Sequence, residues 1–306
     1  MSSMYHDDES TPYDSPKRTA GTSKPNSKHQ FKQWCKKNLW WLLTLILIAC
    51  LFLPTNYIIE MPGPTMNVLG NEILNTDGTK VIAAHKEAIT ISNATVHPTT
   101  GKLLMVTVNV AGAPGYPIPV WQVLTSWFNS RRSVLPREVV FPIGSTTETE
   151  DKTVDQEMNG AQSTAKSQAL QFIQKHHLTT QNLKKVSITM GAGDVGGPSA
   201  GMMFTLGTID KLTTGTLAGN QTIAGTGTIS NTGTIGKIGG IRMKMIGARD
   251  DGASWFLAPA GNCADVVGHI PSGLHVVRVS TLDEAYHAVM MIGKGQGNTL
   301  PTCSVG

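Results

Sequence analysis

With 306 residues, 40% of them hydrophobic, the chain can bury one good-sized core or two small ones and is too apolar to be wholly disordered. Only 15% of residues are charged while 32 are Gly and 16 are Pro, so turns and short elements are expected rather than long surface helices. The net charge of +4 gathers largely before residue 38, and no later Lys/Arg run with interleaved aromatics tracks a nucleic acid, which excludes that class of partner.

Residues 1–30 are rich in Ser, Pro, Lys and Asp without apolar periodicity, and a disordered basic tail is expected over 1–38, carrying Lys17, Arg18, Lys24, Lys28, Lys32, Lys36 and Lys37. Leu39 to Leu53 are apolar apart from Thr44, and Ile58 and Ile59 extend the stretch. Residues 39–59 are therefore expected to form one transmembrane helix, since about 20 residues cross the hydrocarbon. Basic residues crowd the N-terminal side, whereas the first charges afterwards are Glu60, Glu72 and Asp77. The expected topology is a cytoplasmic N-terminus and an extracytoplasmic remainder at the cell membrane, with the bilayer as a partner. A cleaved signal peptide would have a shorter basic lead and an A-x-A-like site, and none is found. Leu47-Ile48-Ala49-Cys50 has the form of a lipobox, but Leu51-Phe52-Leu53 is too apolar for a mature lipoprotein start. Of the four cysteines, Cys263 and Cys303 then lie on the oxidising side. Their pairing would close a loop of about 40 residues, contributing roughly 3–4 kcal/mol in the chain-entropy model.

A β-rich region with a long insertion is expected over 60–155. Short alternating runs such as Ala88-Ile89-Thr90-Ile91 and Leu103 to Val108 are separated by Asn, Pro and Gly, and Val120 to Phe128 reads as one amphipathic helix within the insertion. From 156 to 306 strands and helices interleave, the pattern of an α+β domain. Ala161, Ala165, Ala169, Leu170 and Ile173 predict a helix over Met158 to Gln174, and Val186, Ile188 and Met190 predict a strand. A glycine-rich turn, Gly191 to Pro198, leads into a helix over Ser199 to Leu212. Further strands are expected over Thr222 to Ser230, Ser254 to Leu257 and Leu274 to Val279, and a helix over Ile241 to Arg249. Thr281-Leu282-Asp283-Glu284 reads as a capping box opening a last helix to about Met291.

Gly196-Gly197-Pro198-Ser199-Ala200-Gly201 sets a serine on a strand-to-helix bend, with Pro198 suited to a helix start and small neighbours that admit a peptide backbone. Amides at a helix start favour a developing oxyanion. The same pattern also fits a serine that merely caps a helix, or a phosphate-cradling loop. No G-x-x-x-x-G-K-[ST] segment occurs, so an ATP site of that kind is unsupported. None of the nine histidines offers an evident base: His6 and His29 lie in the tail, His176 and His177 at a helix end, and His269 in an expected surface helix. Ile241, Lys244, Met245 and Ala248 share one helical stripe, which places Lys244 inward while Arg242 and Arg249 point elsewhere. Desolvation there lowers an ammonium pKa and makes a base, although a lone lysine in such a stripe commonly snorkels to solvent.

The segments Gly196 to Gly201, Gly225-Thr226-Gly227-Thr228-Ile229 and Ile238 to Lys244 together resemble the proteolytic domain of Lon proteases, as does the 45-residue spacing of Ser199 and Lys244. The likeness extends through Phe256 to Pro259, Asn262 and Thr281 to Glu284, and more weakly back to Met158 and the strands near Lys102. It implies a Ser-Lys dyad of Ser199 and Lys244, with Thr226 beside the lysine and Gly197, Pro198 and Ala200 in support. The large members carry an ATPase module that is not read here, so the chain looks like the small membrane-anchored branch that works without ATP. That branch usually carries a PDZ domain, for which Lys175 to Leu183 leaves no room. The acid often found before Gly-Pro-Ser is Gly196 here, with Asp194 two positions earlier, and Thr228 replaces a common glutamate. The resulting expectation is an ATP-independent, membrane-anchored serine endopeptidase acting on proteins or peptides, with no metal or cofactor and a homo-oligomer left open. A non-catalytic tethered binding or assembly protein of the same fold is the alternative.

Overall fold

The computed structural model describes residues 27–70, 72–74, 81–83, 87–191, 197–213 and 215–304. Its two compact units meet in sequence between Leu51 and Phe52. The first contains one helix, α1 (Ser27–Leu51). Helix therefore begins at Ser27, inside the expected disordered stretch, whose residues 1–26 lie outside the described ones. Leu39, Trp40, Trp41, Leu43 and Leu45 to Ile48 are exposed on α1, and the Thr44 hydroxyl donates to the Trp40 carbonyl at 2.8 Å, which satisfies it within the helix. The expected span of 39–59 does not hold as one helix. Its uninterrupted apolar part, 39–51, reaches only about 20 Å at 1.5 Å per residue. Ile58 and Ile59 instead lie buried in a strand of the second unit. Among the described residues no helix is long and apolar enough to cross a membrane.

The second unit is built on a mixed sheet. Its strands are β1 (Tyr57–Asn67), β2 (Glu72–Leu74), β3 (Val81–Ala83), β5 (Lys102–Ala111), β6 (Ser133–Pro136), β8 (Thr222–Gly225), β11 (Trp255–Pro259) and β12 (His275–Val279). The order is β12-β11-β8-β5-β1-β2-β3, with β6 also paired to β1. The strands from β12 to β5 run parallel and the rest antiparallel. β1 crosses the whole unit, with β6 on its first half and β2 on its second. Its register on β5 shifts between Pro62 and Thr65, where two prolines without N–H groups interrupt the ladder. Two pairs stand apart: β4 (Ile89–Ser92) with β7 (Ser187–Met190), and β9 (Thr228–Ile229) with β10 (Ile235–Gly236).

Alternation along β5 feeds two cores. Leu103 and Met105 face one side with α3 (Thr147–Lys175), α4 (Gly201–Thr213) and α7 (Leu282–Gly293), while Leu104 and Val106 face the other with α5 (Ile241–Asp250) and α6 (Cys263–Val266). Helix α4 is buried almost throughout, which suits its run of Met202, Met203, Phe204, Leu206 and Ile209. α3 begins earlier than its apolar periodicity indicates. Its first three turns are polar, held by reciprocal bonds between Thr146 and Thr149, so the expected boundary at residue 156 falls inside the helix. The capping box at α7 is half formed: Thr281 accepts from the Glu284 amide, but the Glu284 carboxylate takes the Ser280 amide at 2.7 Å. His269 lies in the turn after α6, not in a helix.

Candidate functional site

The serine and the lysine reach the site from opposite layers of the sheet. Ser199 sits in the 3₁₀ turn Pro198–Ala200 that opens α4, entered through Gly197 at φ 93°, a conformation closed to most side chains. Pro198 takes the first position and Ala200 is buried against the core, so Ser199 is left half-buried at the bend. Gly196 and Asp194 lie outside the described residues. Lys244 projects from the first turn of α5 on the opposite layer. That helix starts at Gly240, in the left-handed region at φ 67°, with Val108 against the space a Cβ would need.

The two meet past the end of β8. The strand expected over Thr222 to Ser230 breaks there into β8 and β9, because Thr226 and Gly227 turn to the start of α4. The Gly227 amide donates to the Ser199 carbonyl at 2.8 Å and the Met202 amide to the Gly227 carbonyl at 3.0 Å. The Thr226 hydroxyl also donates to the Ser199 carbonyl, at 3.1 Å. Lys244 Nζ lies 3.0 Å from Ser199 Oγ and 3.4 Å from Thr226 Oγ1. The structure thus brings together Ser199, Lys244, Thr226, Gly197, Pro198 and Ala200. Lys244 is only 4% exposed, and burial lowers its pKa from 10.5 to about 8, partly offset by the charge of Glu60.

Glu60 escaped the sequence reading, which used it only as a charge beyond an apolar segment. It is 6% exposed in β1, and its Oε1 lies 3.6 Å from where a Cβ of Gly240 would stand, at the start of the helix that carries Lys244. Burial raises its pKa, and the nearby Lys244 lowers it. A lone acid within the apolar strand run Tyr57 to Met61 is the signal that could have found it. Asn262 is fully buried and pairs with both backbone groups of Ile238, at 3.0 and 2.9 Å, which pins the turn before α5. Lys237, the other lysine of that turn, is exposed and pairs with Asp265 at 3.3 Å. Beside the start of α5 a cavity of about 320 Å³ is lined by Leu135, Val139, Val140, Ile238 and Ile241, with Glu60 at its wall. Cys263 and Cys303 are joined with a Cα–Cα distance of 5.0 Å, tying the C-terminal residues to α6.

An α+β unit that sets a serine hydroxyl against a buried lysine amine is equipped for acyl transfer. Residues 145–292 match the family model described as the Lon protease (S16) C-terminal proteolytic domain. The matched stretch runs from just before α3 into α7 and holds both Ser199 and Lys244, and a domain of this description indicates serine-type peptidase activity on protein substrates. No curated protein matches the chain.

Proposed function

We propose that this chain is an ATP-independent serine endopeptidase in which Lys244 takes the proton of Ser199, Ser199 Oγ attacks the scissile carbonyl, and amides at the start of α4 hold the oxyanion. Lys244 returns that proton to the leaving amine as the peptide bond breaks and, neutral again, activates the water that hydrolyses the acyl-enzyme. The observation that carries this reading is the 3.0 Å approach of Lys244 Nζ to Ser199 Oγ within a buried setting. An amine with a pKa near 8 is neutral in a useful fraction of molecules at physiological pH, which an ordinary lysine is not. Thr226 accepts from the amine and orients it, and Glu60 supplies a counter-charge to the ammonium that forms when the serine proton arrives. The cavity beside α5, lined by apolar side chains and also by Glu60, Lys237, Arg242 and Asp265, is the part of the surface next to the lysine helix that could receive a side chain of the substrate strand. The chain between α3 and β7 is short, so in this reading substrates reach the site without a PDZ domain.

The same proposal attaches the enzyme to a membrane through α1, with the basic lead cytoplasmic and the second unit outside. The exposed apolar side chains of α1 and the basic residues before them support it. Local thinning of the bilayer would accommodate a stretch of about 20 Å. A reporter fused after Gly306 should be active only outside the cytoplasm.

Labelling with a serine-reactive β-lactone or phosphonate tests the chemistry. The expected result is one covalent adduct on Ser199, absent from Ser199→Ala and from Lys244→Ala. An unlabelled, folded wild-type protein that cleaves no peptide would favour the non-catalytic binding protein instead.

A further inference from the structure

Helix α2 (Val120–Trp127), in the insertion between β5 and β6, is turned inside out for a helix of a globular unit. Its inward face is Val123 and Ser126, packed on a small cluster with Ile59 and Ile118. Its large side chains face outward: Trp121, Leu124 and Trp127, followed by Phe128, with Trp127 60% and Phe128 91% exposed. At positions i, i+3, i+6 and i+7 these four make one contiguous apolar stripe, not scattered surface residues. A stripe of this kind marks an interaction surface, because nothing in the unit's own packing requires it.

Where the chain enters the unit says what covers the stripe. Phe52 and Leu53, the first residues after α1, are exposed, and within two residues the chain is bonded to α2: the Val120 amide donates to the Leu53 carbonyl at 3.1 Å and the Thr55 amide to the Ile118 carbonyl at 2.9 Å. Pro54 and Pro119 form a bridge between these bonds. The chain thus leaves α1 at Leu51 and by Leu53 is already bonded to the first turn of α2. Two tryptophans and a phenylalanine are the side chains that favour the level between headgroups and hydrocarbon. Arg132, exposed four residues after Phe128, adds a positive charge near the stripe in sequence that would suit anionic headgroups.

We propose that the outward stripe of α2 lies in the interfacial layer of the same membrane that holds α1, a second contact that fixes how the catalytic unit is presented to the bilayer. The inference rests on the membrane attachment proposed above, and the experiment separates the two. Phe128→Cys and, as a control, Asn298→Cys are made in the full chain with Cys35 and Cys50 replaced by Ser, then labelled with a nitrobenzoxadiazole fluorophore. Both sites are exposed, so neither substitution disturbs packing. The proteins are reconstituted into vesicles of phosphatidylcholine and phosphatidylglycerol, with and without doxyl-labelled lipid. The expected result is that the chain floats with the vesicles and the label at 128 is quenched by the doxyl lipid several-fold more than that at 298. A floating chain with equal, weak quenching at both positions would leave the anchor standing and overturn the α2 contact. A label unquenched by lipid yet hidden from aqueous iodide would give the stripe to a second copy, which also overturns it. A chain that does not float removes the anchor and the α2 contact together.

Discussion

Two lysines of this protein are equally withdrawn from water and are treated in opposite ways. Lys211, 3% exposed near the end of α4, donates to the Glu87 carboxylate at 2.7 Å and to the Ile89 carbonyl at 2.9 Å. Lys244, at the start of α5, is offered two hydroxyls, with Glu60 as its charged neighbour. One amine is tied down by a direct ion pair and joins α4 to β4; the other meets two hydroxyls, the setting that the proposed base role requires. Burial alone does not make a lysine into a base. What decides is whether the first neighbours stabilise the charge or only tolerate it.

The sharpest break of this comparison is substitution at the dyad. Lys244→Arg preserves charge and approximate length but cannot act as a base. Peptide hydrolysis should fall about 10²–10⁴-fold, as for Lys244→Ala, and the double variant with Ser199→Ala should be scarcely worse, since nucleophile and base act as a unit. Substantial hydrolysis by purified, folded Lys244→Arg would sink the assignment. Lys237 would be a poor replacement, exposed and paired as it is.

Next in size is the disulfide, which closes a loop with a separation of 40 residues. Reduction, or Cys303→Ser, should cost roughly 3–4 kcal/mol of stability by the chain-entropy account. Labelling of Ser199 should survive in molecules that remain folded, because neither cysteine contributes a hydrogen bond to Ser199 or Lys244. Equal midpoints in urea with and without reductant would remove its structural role.

Lys211→Met should show the reverse of Lys244→Met. The first loses a charge-assisted bond to a buried carbonyl and should destabilise by about 1–3 kcal/mol while folded molecules keep their activity. The second should keep or raise its melting temperature and lose activity, because an apolar side chain replaces a desolvated amine. If both variants failed in the same way, the contrast between the two lysines would collapse.

The smallest effect concerns pH. The proposed mechanism requires neutral Lys244, so activity should rise as pH increases through about 8. The charge of Glu60 favours the ammonium; removing it in Glu60→Gln disfavours the ammonium, lowers the lysine pKa further and moves the rising limb to lower pH. A profile unmoved in Glu60→Gln would mean that Glu60 is uncharged over that range.

Why the dyad was legible and its surroundings were not follows from distance along the chain. Lys244 could be placed inward because Ile241, Met245 and Ala248 repeat on one helical face, and Ser199 because glycines and a proline before an apolar run make a strand-turn-helix bend. Both are local patterns. Glu60 becomes part of the site only when β1 packs beneath the first turn of α5, a contact between segments far apart in sequence. The same strand misled the membrane reading: Ile58 and Ile59 continue an apolar run on paper, and only pairing with β5 and β6 reveals them as sheet core. Apolar runs interrupted by Pro54 and Asn56 cannot be divided between helix and strand by composition. The break of the expected 222–230 strand at Thr226 had no local signal beyond two flanking glycines. Its cause is the Ser199 carbonyl, which draws the Gly227 amide away from a ladder.

Because the serine belongs to one layer of the sheet and the lysine to the other, the proposed dyad exists only once both cores have closed. A chain caught with only α3, α4 and α7 in place has a hydroxyl and no base; one with only α5 and α6 has an amine and nothing to activate. On the chemistry proposed above, completing the fold is itself the step that arms the site.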